Sequence, residues 1–439
     1  WLCVAMAVLL ILIIPSIILM SVLKRLGFTS RHYQFFLCHH KADVGAFARW
    51  LQVELLGHVD VSREVFLAAD SLEALDKLLL VVATDVDAMV VLGSTNLFTK
   101  PCCVGQIAAA CANEVRLVVV ALPGFRRLTA HEIERFEFQG SDQDMLLENG
   151  ISMESIGDAL RTVAEKPAIH IPSRLNLRTV GVLVGMLACG EERGDLKLCE
   201  MVLGRTTTII VANTVDSEAC ASAHVLRSLL VQLDFHESID GIPHVLGEEH
   251  EIPTTAERAI VIFTVGCFEE VTFVARLLEV TQRVSRIVPV IATPSFQVPN
   301  RAGVAQSIRR LPATAVPSDG WDPEELAQDV LGVFREIAVI VDTKQSSAAV
   351  LDVAVQRLGA RLSVGKLRPT RSSIRRTSGN FRAMLIDGEV QGLEAGSDRN
   401  EDEMEVTAED VETVLRPTGV SKWRGGVVPL HILDDLDLA

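Results

Sequence analysis

The chain has 439 residues, 49% of them apolar, enough for two or three packed domains. A formal net charge of -16 and a single tyrosine exclude a general nucleic-acid binder, because phosphate contact needs clustered Lys and Arg and base contact needs stacking rings. The cysteines include no CxxC pair and no His ligand at zinc spacing, so no metal site is expected, and their mostly apolar settings point to a reducing compartment without a disulfide framework.

The chain opens at Trp1 rather than Met, which reads as a fragment or a processed chain. Residues 2–23 are apolar except for Pro15, Ser16 and Ser21, long enough to span a hydrocarbon core, so residues 1–24 are expected to form a transmembrane helix. Lys24, Arg25 and Arg31 follow, and that basic flank predicts a single-pass membrane protein with its later domains cytoplasmic. A signal peptide is the competing reading, with a shorter apolar core expected.

From Tyr33 onward, strand and helix signals alternate. Phe35-Phe36-Leu37 runs into Cys38-His39-His40-Lys41-Ala42-Asp43, and Phe47, Trp50, Leu51 and Leu55 then recur at helical spacing. Val65-Phe66-Leu67 leads to a loop with Asp70 and a helical pattern through Leu72, Leu75, Leu78 and Leu79. The apolar runs 88–92 and 117–121 flank Lys100-Pro101-Cys102-Cys103-Val104-Gly105-Gln106. Continuous apolar runs separated by helices predict a parallel sheet covered on both faces. A further helical pattern lies within residues 145–163 and closes at Pro167 and Pro172.

The order of these signals resembles a Toll/interleukin-1 receptor/resistance (TIR) domain over residues 33–170. The likeness rests on the strand ending at Cys38-His39-His40 with Asp43 behind it, on Val65-Phe66-Leu67 and the loop at Asp70, and on the Cys103 to Gln106 frame. The resemblance implies a flavodoxin-like α/β fold and assembly with other TIR-like domains, or with itself, through the loop at residues 68–75. It also implies that catalytic members split NAD between nicotinamide and ribose with a Glu where this chain has Gln106. An amide carries no charge to stabilise the developing positive ribose, so the first domain is expected to be weak or inactive in that reaction. The other cleft candidates are Cys38, His39, Asp43, Phe66, Asp70 and Cys103, near strand ends where open α/β sheets place ligands. Asp43 also reads as a plain helix cap, and adjacent His39 and His40 as polar loop residues without a third metal ligand.

Residues 171–205 read as a connector whose apolar stretch 180–188 packs as a helix or strand. Residues 206–345 repeat the pattern: the run 208–211, then Asp216 before a helix, then the runs 259–263 and 288–292 and a last helix over 324–337. Cys267 and Glu270 fall at the spacing of Cys103 and Gln106, which makes Glu270 the alternative catalytic carboxylate, and no clear second strand lies in 241–255. Residues 346–439 are expected to hold one helix over 348–362 and then a charged, largely disordered tail, with a basophilic-kinase pattern at Arg375-Arg376-Thr377-Ser378. No Walker loop, GxSxG elbow or HExxH pair occurs. A receiver-like reading lacks the phosphorylatable Asp after the third strand, where Gly93-Ser94-Thr95 stands.

These observations predict two α/β domains in tandem behind a membrane anchor, signalling through TIR-TIR association with no cofactor required. The alternative is an NAD glycohydrolase, with NAD as substrate.

Overall fold

The computed structural model describes residues 31–68, 75–189, 207–233, 241–247, 250–312 and 322–363. The first half alternates strand and helix. It comprises β1 (Tyr33–His39), α1 (Lys41–Leu56), β2 (Glu64–Leu67), α2 (Leu75–Thr84), β3 (Val86–Gly93), α3 (Pro101–Ala112) and β4 (Arg116–Ala121). Three helices follow, α4 (Ala130–Glu134), α5 (Ser141–Glu148) and α6 (Met153–Glu165), and then β5 (Ala168–His170) and α7 (Leu177–Cys189). The second half holds β6 (Thr208–Val211), α8 (Ser217–Gln232), β7 (His244–Val245), β8 (Arg258–Phe263), α9 (Val271–Arg283) and β9 (Arg286–Ile291). It closes with α10 (Arg301–Arg309), α11 (Pro323–Gly332), β10 (Val339–Ile340) and α12 (Ala348–Ser363).

The strands form two parallel sheets of five, ordered β2-β1-β3-β4-β5 and β10-β9-β8-β6-β7. Read from the other end, the second order repeats the first. Side-chain alternation along each strand feeds two different cores. In β1, Phe35 and Leu37 point to one face, and Phe36 and Cys38 to the other. The first face does not belong to its own half alone. Phe35, Leu37, Val90 and Leu92 of one sheet share a continuous core with Ile210, Ile260, Ile262 and Val290 of the other. Helices α1, α7, α8 and α12 lie in that shared layer, through Trp50, Val184, Leu226 and Leu358 among others. The stretch expected to connect the halves is therefore part of their common core, and so is the helix expected at the head of the tail. Each sheet's outer face has its own core, capped by α2, α3 and α6 in the first half and by α9, α10 and α11 in the second.

The sharing follows from composition. Helices α1 and α8 are buried nearly all round rather than along one stripe, with eleven buried residues each. A helix with no polar face must be covered from both sides. Trp50 of α1 stacks on His224 of α8 with ring centroids 4.1 Å apart and planes 3° off parallel. The indole N–H of Trp50 donates to Glu54 at 3.1 Å, so its polar edge is satisfied.

The helical pattern expected within residues 145–163 is there, with Ile156, Leu160 and Val163 as its buried face, and the stretch holds two helices. Asn149 closes α5, Gly150 takes φ +76°, a region that favours glycine, and α6 restarts behind the Ser152 cap. Single-pass membrane localisation is corrected, because no helix among the described residues is long and apolar enough to cross a membrane. Residues 2–23, on which that expectation stood, lie outside the described residues, as do Asp70 and Ser378.

Candidate functional site

Strand β1 ends at His39, and its neighbour β3 ends at Gly93. Helix α1 leaves β1 toward the shared core, whereas α3 leaves β3 toward the outer core. Between β1 and β3 the chain thus switches faces, and the carboxyl ends of these two strands are the edge, called the crevice below, where open α/β sheets place ligands.

Across this crevice Asp43 reaches from the β1–α1 turn to the loop after β3. Its carboxylate accepts from the backbone N–H of Asn96 at 3.0 Å and from the Asn96 amide Nδ2 at 3.1 Å. His40 Nδ1 lies 2.9 Å from the same carboxylate. Partial burial pushes the Asp43 carboxyl up, but Asn96, Ser94 and His40 outweigh that and hold it below its ordinary value. Asp43 does not cap α1. Val44 takes a non-helical φ of -140°, so the regular helix begins after it.

The cap comes from the other half. Glu218 of α8 accepts from the N–H groups of Ala46 at 2.9 Å and Phe47 at 3.1 Å. Those donors would otherwise be orphans of the first turn. Lys344, in the loop before α12, sits 3.3 Å from Glu218 and donates to the Ala42 carbonyl at 3.2 Å. Arg49 donates to the Ser346 carbonyl at 2.8 Å. The second half therefore holds the turn that carries His40 and Asp43. Gly45 makes that approach possible, since a Cβ there would lie 2.9 Å from Lys344 Cβ and 3.0 Å from its Cα. Gly45→Ala would gain helix propensity of about 1 kcal/mol but force the Lys344 loop to move at about 1–3 kcal/mol. The expected outcome is a net loss of stability, read as a lower urea midpoint at unchanged slope.

Behind the clasp the groups are buried. His39 Nδ1 is 3.0 Å from the Leu37 carbonyl, and its Nε2 has no hydrogen-bond partner. Burial pushes its pKa down to about 4, so the ring is neutral at pH 7. Cys103 donates to the His39 carbonyl at 3.3 Å, and Cys38 to the Cys103 carbonyl at 3.6 Å. The Cys102 contact lowers the Cys103 thiol, but Cys38 and burial together carry it well above its ordinary value. Cys102 is raised as well, by its Cys103 contact and then by desolvation. These are packed thiols rather than nucleophiles.

Of the expected site residues, Cys38, His39, Asp43 and Cys103 converge at the β1 and β3 ends. Phe66 does not line the crevice; it stacks on Phe36 at 5.0 Å within the outer core. Gln106 is 5% exposed, buried in the second turn of α3. Glu270 is not its counterpart. After β8 the chain runs Thr264-Val265-Gly266, a short turn at Cys267–Glu269, and then α9 with Glu270 in the cap position. After β3 it runs Ser94-Thr95-Asn96, a short turn at Leu97–Thr99, and then α3 with Lys100 in the cap position. Glu270 therefore matches Lys100, and Arg276 matches Gln106. Spacing counted from the cysteines is six residues out of register.

The second half repeats the clasp itself. Asp216 accepts from the Glu218 N–H at 2.9 Å and from Thr264 Oγ1 at 3.3 Å, with Thr264 standing where Ser94 does. Asn96, Ser94, Glu218 and Lys344 were not singled out from sequence. One signal was available: a charged Glu218 inside the apolar run of α8 needs a buried partner.

No family model matches the chain, and no curated protein does. Among solved structures it is similar to a Clostridium novyi NT protein described as a tagatose-6-phosphate ketose/aldose isomerase. The identity is 10% over 78% of this chain and 82% of that one, with a TM-score of 0.20. The Escherichia coli tagatose-6-phosphate ketose/aldose isomerase matches at 10% identity over 76% and 85%, with a TM-score of 0.19. At such superposition the likeness carries no inference about activity. The TIR resemblance is corrected here, since no TIR family model, nor any other, matches the chain. TIR-TIR signalling and NAD hydrolysis fall with it; Gln106 is a buried amide and Glu270 takes the cap position of α9.

Proposed function

We infer that the chain binds a small anion at the edge where β1 and β3 end. One observation carries this reading. Asp43 is already engaged by Asn96 and His40, and two lysines at the rim outnumber its single negative charge. Lys41 opens α1 and Lys100 caps α3, both exposed, and both helices present their N-terminal ends on this edge. Lys41 bears electrostatically on His39, and Lys100 on Cys103, which supports a positive rim. The raised thiols and neutral His39 favour recognition over thiolate chemistry.

The test titrates the full chain with inorganic phosphate, ribose and ribose 5-phosphate by calorimetry. Phosphate and ribose 5-phosphate should bind and ribose should not, because the rim recognises the charge. The double variant Lys41→Ala, Lys100→Ala should weaken both about tenfold or more, corresponding to at least about 1.4 kcal/mol. Asp43→Asn should also weaken them, by loosening the loop that Asn96 anchors. Absence of binding by both anions, or binding indifferent to both lysines, overturns the reading.

A further inference from the structure

At the opposite end of the first sheet, the turn between α1 and β2 meets the last residue of α7. Cys189 Sγ lies 3.4 Å from Asp60 Oδ2, and His58 Nδ1 lies 3.7 Å from the same oxygen. One ligand atom from each of the three residues falls within 4.8 Å of the others. The geometry points to a zinc-type divalent metal site formed by His58, Asp60 and Cys189, stapling α7 to the α1–β2 turn.

The spacing is the first argument. Tetrahedral zinc holds Cys sulfur at about 2.3 Å and His nitrogen or carboxylate oxygen at about 2.0–2.2 Å. Ligand atoms around such an ion are then separated by roughly 3.3–3.6 Å. The observed 3.4 and 3.7 Å need only small side-chain shifts to meet that.

The ring's orientation is the second argument. The Asp60 backbone N–H donates to His58 Nδ1 at 3.3 Å, so this nitrogen is the unprotonated one on the cluster side, and ligation would exchange that long hydrogen bond for the metal. The turn is held from outside. Gln34 donates to the Asp60 carbonyl at 3.2 Å, and the His58 N–H donates to the Leu55 carbonyl at 3.0 Å. Cys189 ends α7, where the helix dipole favours a cation. Three protein ligands leave a fourth position for water. On binding, the metal–sulfur bond replaces the S–H bond and the proton passes to solvent, so affinity rises with pH.

Cobalt(II) is the probe, added to the full chain under reducing conditions. A thiolate-to-cobalt charge-transfer band should appear, saturate at one equivalent and be displaced by zinc(II). Cys189→Ser should abolish it. His58→Ala and Asp60→Ala should each weaken cobalt binding about 10–100-fold or more, taking the cost of a lost supporting group as the lower bound. Cys102→Ser, at the other exposed thiol among the described residues, should leave the band intact. The substituted side chains sit at a surface turn and a helix end, and circular dichroism checks that each variant stays folded. No charge-transfer band, or a band that survives Cys189→Ser, overturns the assignment.

Discussion

Trp50→Ala should cost about 3–5 kcal/mol of global stability, the range for removing a fully buried Trp or Phe side chain. Trp50 is 0% exposed and sits in the layer that both sheets share. Its stacking partner His224 is neutral, because burial, then Arg227 and His244, push its pKa down to about 3. Removing the indole opens a cavity against the imidazole, and the halves lose their tightest contact. Two readouts separate this from a local effect. Urea unfolding should remain a single transition with a lower midpoint, because the shared core leaves neither half a complete interior of its own. The His224 resonance should titrate closer to its ordinary value of 6.5 once its cover is gone. Independent unfolding of the two halves in the unsubstituted chain would defeat the argument.

That shared interior marks the limit of what sequence patterning could show. The apolar runs at 35–37, 88–92, 117–121, 208–211, 259–263 and 288–292 all became strands, because continuous β-branched and aromatic runs between helices leave little alternative. Periodicity says only that a face is covered. It does not say that α1 is covered by α8, since an all-round apolar helix looks the same whatever covers it. The clasp was half legible. Asp43 and Asp216 could be seen as equivalent, but the reach of Asp43 to Asn96 spans 53 positions and leaves no local pattern. The equivalence of Glu270 and Gln106 failed for a related reason. It was counted from cysteines, whereas backbone register is set by the short turn and the helix start, and there Glu270 falls on Lys100. His58, Asp60 and Cys189 escaped the search for metal spacing because Asp60 and Cys189 lie 129 positions apart.

Glu218→Ala should be at least as damaging as loss of Trp50, by a different route. Glu218 is 7% exposed and receives Ala46 N–H, Phe47 N–H and the Lys344 ammonium. Truncation leaves two buried amides and a half-buried cation without their acceptor, and breaking a buried charge pair costs about 3–5 kcal/mol. Glu218→Gln keeps one acceptor oxygen and should cost less, about 1–3 kcal/mol. The two variants also differ from the unsubstituted chain in how stability follows pH. Burial, against the pull of Lys344 and the two amides, raises the Glu218 carboxyl from 4.5 to about 7. The folded chain therefore binds more protons than the unfolded one between those values. The contribution of this group is complete below about 4.5 and is lost as pH rises through about 7, a fall of about 3 kcal/mol. His224 and His39 act with the opposite sign. Their folded values of about 3 and about 4 lie below 6.5, so their contribution is complete above 6.5 and is lost as pH falls. Between 4.5 and 6.5 the two histidines outweigh the one glutamate, so stability should climb with pH, peak between about 6.5 and 7, and stop climbing there. Glu218→Gln removes the opposing slope, so its profile should rise more steeply to 6.5. Parallel urea titrations of both proteins at stepped pH measure this, and identical slopes between 4.5 and 6.5 would show that Glu218 is not the group holding the first half's turn by its charge state.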